Sequence, residues 1–238
     1  MEAIDARVAG VERHFEATAL LDVLDHAERY NRHLLEQVVA FAGSSRSVLD
    51  FGAGTGRLAT SLAALGFDVT GVEPDPALRA RLSHANLASV SALGELGERR
   101  FDYAISMNVL EHIPDDAEVA RALHDRLEPG GRCLIYVPAF PMLWTANDTL
   151  VGHQRRYRRQ ALSRLFRDAG FAVDDVRYVD SLGFLATLAY RLVGRGDGQI
   201  TARSVRIYDR AVFPASLQLD RALHRLAGKN LLLRARRR

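Results

Sequence analysis

In 238 residues the chain has one cysteine, Cys133, and one lysine, Lys229. A lone thiol forms no internal disulfide and leaves no cysteine pair for a metal. Cys133 lies in the apolar run Cys133-Leu134-Ile135-Tyr136-Val137 and reads as core packing, and no metal site is expected elsewhere. No apolar run approaches the roughly 20 residues a spanning helix needs. The start, Met1-Glu2-Ala3-Ile4-Asp5, lacks the basic and apolar parts of a secretory leader, so a cytoplasmic protein is expected. Arginines bunch at 155–159 and 234–238, but no basic stripe with interleaved aromatics runs along the chain, and nucleic acid is not an expected partner.

Hydrophobic residues make up 48% of the chain and charged residues 26%, with a net charge of +3, the balance of an ordinary globular protein. The length suits a single domain. Apolar residues from Leu21 to Phe41 recur at three- and four-residue steps, which predicts an amphipathic helix over about 20–41. Strands are then expected at 47–51, 68–72, 87–90, 101–106, 132–137 and 171–179. Helices are expected at 56–65, 76–83, 115–127 and 159–169. This alternation predicts an α/β fold with a doubly wound, mostly parallel sheet and helices on both faces. Residues 1–43 read as an N-terminal helical cap, 44–180 as the core, and 181–238 as C-terminal helices with a last strand near 230–235. A turn is expected at 194–198. The apolar segment 182–193 reads as a core helix, with an acceptor wall or weak membrane-surface contact as the other reading.

The most informative segment is Val48-Leu49-Asp50-Phe51-Gly52-Ala53-Gly54-Thr55-Gly56, a strand that runs through an acidic residue into a glycine loop opening a helix. At the carboxyl edge of a parallel sheet, such a first crossover is where nucleotides bind. Glu73, followed by Pro74, closes the next strand, where a carboxylate can take hydrogen bonds from both hydroxyls of a ribose. The spacing is G-x-G-x-G, whereas a dinucleotide fingerprint needs G-x-G-x-x-G.

This loop resembles motif I of the class I, Rossmann-like S-adenosylmethionine-dependent methyltransferases. Phe101–Ile113 is similar to that family's fourth-strand motif, and Leu127-Glu128-Pro129-Gly130-Gly131 to the turn into its fifth strand. Tyr30-Asn31 and Gly152–Tyr157 resemble segments of its small-molecule branch. The resemblance implies a seven-stranded sheet, S-adenosylmethionine as cofactor, and methyl transfer to an oxygen, nitrogen or carbon of a small-molecule acceptor by a monomer or homodimer. It implies that Gly52, Gly54 and Gly56 shape the cofactor loop, Asp50 orients the methionine amino group, and Glu73 and Pro74 border the ribose. Ala92 and Leu93 would grip the adenine, although Ser91 stands where the family carries Asp or Asn. Asn108 would meet the methionine moiety, and Tyr30 would close over its carboxylate unless it is a core tyrosine.

Methyl transfer asks a protein for alignment and, with a hydroxyl acceptor, for removal of a proton. His112 and His153 are the candidate bases, each with a structural role as the other reading. Trp144, His153, Arg155, Arg156 and Tyr157 are the candidate acceptor-binding residues, an inward arginine serving to clamp an acidic group. Two other functions stay open. A nicotinamide-dependent oxidoreductase is opposed by the loop spacing and by a sole lysine near the end of the chain. A non-catalytic cofactor-binding module has no need of Asp50 and Glu73 together.

Overall fold

The computed structural model describes residues 21–193 and 201–238; the turn expected at 194–198 lies outside them. Seven strands form one sheet: β1 Ser47–Phe51, β2 Asp68–Val72, β3 Ala88–Val90, β4 Phe101–Met107, β5 Leu127–Pro138, β6 Phe171–Val179 and β7 Asn230–Arg237. Their order is β3-β2-β1-β4-β5-β7-β6, and only β7 runs antiparallel to its neighbours. The chain order reverses at β1, so the carboxyl ends of β1 and β4 flank the crevice where such sheets bind ligands.

Helices cover both faces: α1 Glu28–Ala42, α2 Arg57–Ala64, α3 Pro76–His84, α4 Asp116–Asp125, α5 Ala146–Leu150, α6 Arg159–Asp168, α7 Ser181–Val193, α8 Ala202–Ile207 and α9 Phe213–Leu223. Strand side chains alternate between two cores, as the pleat requires. Leu49, Ile135 and Val137 pack toward α4 and α6, while Val48, Leu134 and Tyr136 pack toward α1, α2 and α3. Cys133 is buried in the first core, as expected.

Asp75 caps α3, accepting hydrogen bonds from the Ala77 and Leu78 amides, and Pro76 occupies the first turn, where no amide is needed.

Three expectations needed correction. The leading helix is interrupted: residues 21–24 are helical, 25–26 form a turn, and α1 begins at Glu28. No side chain at Ala27 caps it; instead Asp209, 180 residues downstream of Arg29, accepts hydrogen bonds from the amides of Arg29 and Tyr30 at 3.0 and 2.8 Å. Strand β5 begins at Leu127, earlier than 132, and Gly130-Gly131 lie in a bulge within it, where the pairing with β4 passes from Leu127 to Arg132. The apolar helix α7 is only partly core, since Leu185 and Tyr190 are exposed. No described helix is long and apolar enough to cross a membrane.

Candidate functional site

The glycine loop leaves β1 at the sheet's carboxyl edge. Gly52, Gly54 and Gly56 have φ of 80°, 55° and 77°, which L side chains adopt only with strain. Their surroundings differ. A Cβ at Gly52 would strike the Val109 side chain at 2.2 Å, and one at Gly56 would strike Leu82 at 2.6 Å. Among the described residues, a Cβ at Gly54 would meet only Leu21, at 3.6 Å.

Glu73 ties this loop to the next one. One carboxylate oxygen accepts from the Gly54 amide at 2.8 Å and the other from the Asp75 amide at 3.0 Å. Each oxygen keeps a lone pair. Burial raises the Glu73 pKa against these hydrogen bonds. Asp50, beneath the loop, is 2% exposed and has no hydrogen bond or ion pair with any described residue. Burial, reinforced by the charge of Glu73, pushes its pKa up to about 7. Two buried carboxyls whose charges act on each other, neither in an ion pair with a described residue, make a site for a positively charged group.

A stability test follows from the sign of that shift. Between about pH 4, the ordinary aspartate value, and about pH 7, folded Asp50 holds a proton that the unfolded chain releases. Its contribution therefore favours the folded state below that window and is lost as pH rises through it. Urea unfolding at pH 5 and pH 8 should show this loss in the free protein, and Asp50→Asn should flatten the profile. An unchanged slope in the variant would remove Asp50 as its source.

Along the crevice, Leu93 is buried and Ala92 half-buried at the start of a short 3-10 turn. Glu95 accepts a hydrogen bond from the Ser91 amide at 3.2 Å and another from its hydroxyl. Pro74 is half-buried, and its carbonyl accepts from Arg79. Asn108 is exposed at the end of β4 with φ of 54°, and its amide donates to the Tyr136 carbonyl at 2.7 Å. Tyr30 packs as a core tyrosine, the second of its two readings: its hydroxyl donates to the Tyr136 hydroxyl at 2.9 Å, and its ring meets that of Phe213 edge to face. That donor is committed inside the protein.

A second cluster lies just past β4, next to Val109 at the glycine loop. Glu111 is fully buried, and neither carboxylate oxygen has a hydrogen-bond partner. Burial pushes its pKa up to about 8. The His112 and His153 rings meet edge to face with centroids 4.7 Å apart. Burial, with His153 adding to it, lowers the His112 pKa to about 4, against a hydrogen bond to the Val151 backbone. His153 Nδ1 bonds to Asp148 Oδ1 at 2.7 Å, and its Nε2 lies 3.8 Å from Glu111 Oε1.

Asp148 organises the loop between β5 and α6. It accepts from the Thr145 amide and hydroxyl at 2.7 and 2.9 Å and takes a two-pronged bond from Arg156, Nε to Oδ1 at 2.7 Å and Nη2 to Oδ2 at 2.9 Å. Burial opposes its charge, but the bonds from His153 and Arg156 hold it well below the ordinary carboxylate range. Arg156 is therefore not the inward acceptor clamp expected of it. Its guanidinium is buried on Asp148 and the Ala139 carbonyl. Arg155 pairs with Asp116 at 2.8 Å and donates to the Pro114 carbonyl. Tyr157 is buried in the core, with its hydroxyl donating to Asp116 at 2.8 Å. Both serve to anchor the loop. Trp144 presents its ring edge to His153 at 6.4 Å while its Nε1 donates to Thr149. The structure thus brings His112, His153 and Trp144 together and directs Arg155, Arg156 and Tyr157 to the loop's own framework. Glu111 and Asp148 were not among the expected site residues, although Glu111 adjoins His112 in the sequence.

The sheet order with one reversed strand, and a glycine loop backed by two acidic residues, define the class I methyltransferase fold. A family model described as a methyltransferase domain matches residues 23–176, and the chain belongs to that family. A ubiquinone biosynthesis O-methyltransferase of Albidiferax ferrireducens is 41% identical over 99 residues, covering 37% of this chain and 39% of that protein. The matched part thus spans about two fifths of the length of such curated relatives. An S-adenosylmethionine-dependent methyltransferase from Thermotoga maritima superposes with a TM-score of 0.66 at 14% identity, covering 97% of this chain and all of that one. The 1,6-didemethyltoxoflavin-N1-methyltransferase of Burkholderia thailandensis, solved with its acceptor and S-adenosylhomocysteine, gives 0.56 at 22% identity, covering 87% and 77%.

Proposed function

We propose that this chain binds S-adenosylmethionine and transfers its methyl group to a hydroxyl oxygen of a small-molecule acceptor. The observation that carries the reading is Asp50, a buried carboxyl without a partner beneath a glycine loop. The residues fit the cofactor: the methionine ammonium suits the unpaired Asp50 carboxyl, and the side of Gly54 left open by the described residues admits a ligand against the backbone. The lone pairs left on Glu73 suit the ribose hydroxyls, and Leu93 with Ala92 offers an apolar surface to adenine.

When bound, the cofactor supplies a methyl activated by its sulfonium. The chain's part is to align an acceptor with that methyl and to handle the proton the acceptor gives up. Glu111, His112 and His153 form the polar wall that suits a hydroxyl, with Trp144 as the apolar flank of the acceptor. The likeness to an O-methyltransferase supports oxygen as the atom methylated.

The test is incubation with methyl-labelled S-adenosylmethionine and matched sets of small phenols, amines and carbon acids. Label on the phenols, and little on the same rings lacking a hydroxyl, is the expected result. Label on amines alone would contradict the choice of oxygen.

A further inference from the structure

We propose that Glu111, His112 and His153 form a binding site for one divalent transition-metal ion, held by two imidazoles and one carboxylate. This departs from the sequence reading, which expects no metal. One ligand atom from each residue lies within 4.8 Å of the other two. An ion about 2.0–2.2 Å from each donor would draw these atoms closer together by side-chain rotation. Among the described residues no arginine or lysine forms an ion pair with Glu111, and both its oxygens are without hydrogen bonds in a fully buried position. Such a carboxyl gives up its proton only when a cation takes its place.

The histidines carry a second and independent indication. Imidazoles that ligate metals pass their other ring nitrogen to a carboxylate or a backbone carbonyl, which fixes the ring and its tautomer. His153 gives Nδ1 to Asp148 at 2.7 Å, which leaves Nε2 directed toward Glu111. His112 is held by the Val151 backbone. Asp148 is itself fixed by both prongs of Arg156, so the ligand shell is anchored two bonds deep. Mixed nitrogen and oxygen donors suit zinc, manganese, iron or cobalt better than magnesium or calcium, which prefer all-oxygen shells. Three protein ligands leave coordination positions open for an exogenous oxygen.

The consequence for catalysis rests on the methyl-transfer reading; the binding site itself does not. An acceptor hydroxyl on the ion would release its proton to solvent. The oxygen–carbon bond would then form as the sulfur–carbon bond of the cofactor breaks, leaving a thioether.

The experiment is titration of the chelator-stripped full chain with Co²⁺, followed by visible absorption, and with Zn²⁺, followed by calorimetry. One equivalent should bind, with d–d bands shifted and strengthened relative to aqueous cobalt. Glu111→Gln and His153→Gln should each lose those bands, and Asp148→Asn should weaken affinity by about 10- to 100-fold. Circular dichroism and thermal melts identify any variant that fails to fold. His153, partly accessible at the crevice, serves as the decisive site if Glu111→Gln does. Absence of stoichiometric binding of either metal would overturn the proposal, as would equal binding by folded His153→Gln. Cobalt binding without S-adenosylmethionine binding would fault the function proposed above and leave this site standing. The reverse would fault this site alone.

Discussion

Gly54→Val removes S-adenosylmethionine binding while leaving the fold in place. At φ of 55° a branched residue is strained, by about 1–2 kcal/mol, yet among the described residues a Cβ there meets only Leu21, at 3.6 Å. The new side chain therefore enters the space where the ligand must lie against the loop. Affinity should fall at least about 100-fold, or about 2.7 kcal/mol, with a modest loss of melting temperature. Gly52→Ala and Gly56→Ala should behave in the opposite way. Their Cβ atoms strike Val109 and Leu82, so they should lower stability before they affect affinity. Calorimetry beside thermal melts separates the two patterns, and full binding by Gly54→Val would place the ligand elsewhere.

Arg156→Met is expected to destabilise the protein by about 3–5 kcal/mol, the usual cost of leaving a buried charge without its partner. Asp148 is 1% exposed, and the Arg156 guanidinium donates to each of its oxygens as the one permanently charged partner beside the neutral donors of Thr145 and the His153 ring. The variant should also free His153 to rotate, since Asp148 orients its ring. Replacing Asp148 by Leu in the same chain should restore much of the stability, because no charge then remains to be compensated. Denaturant unfolding of the two variants checks this. If Arg156 instead clamped an acceptor, Arg156→Met would raise KM and leave stability almost unchanged.

These two positions mark what the sequence could convey. Asp50, the glycine loop and Glu73 were legible because strand periodicity, glycine spacing and the distance to the next strand end are local signals. The strands and most helices were legible for the same reason. Asp148 was not, because its importance comes from Thr145, His153 and Arg156 converging on it in space. Arg156 read as an acceptor clamp because an arginine pattern does not disclose its counterion. Glu111 was in view beside His112, but a carboxylate's lack of partners is a fact of burial that spacing does not carry. The start of α1 at Glu28 depends on Asp209 reaching its first amides from the far end of the chain. Periodicity alone ran the helix through the turn at 25–26.

The most direct test is calorimetric titration of the purified protein with S-adenosylmethionine, S-adenosylhomocysteine, and the oxidised and reduced nicotinamide dinucleotides. Micromolar binding of the first two is expected, with none of the dinucleotides, and affinity for S-adenosylmethionine should rise between pH 6 and pH 8 as Asp50 ionises. Binding of a dinucleotide alone would contradict the methyl-transfer reading.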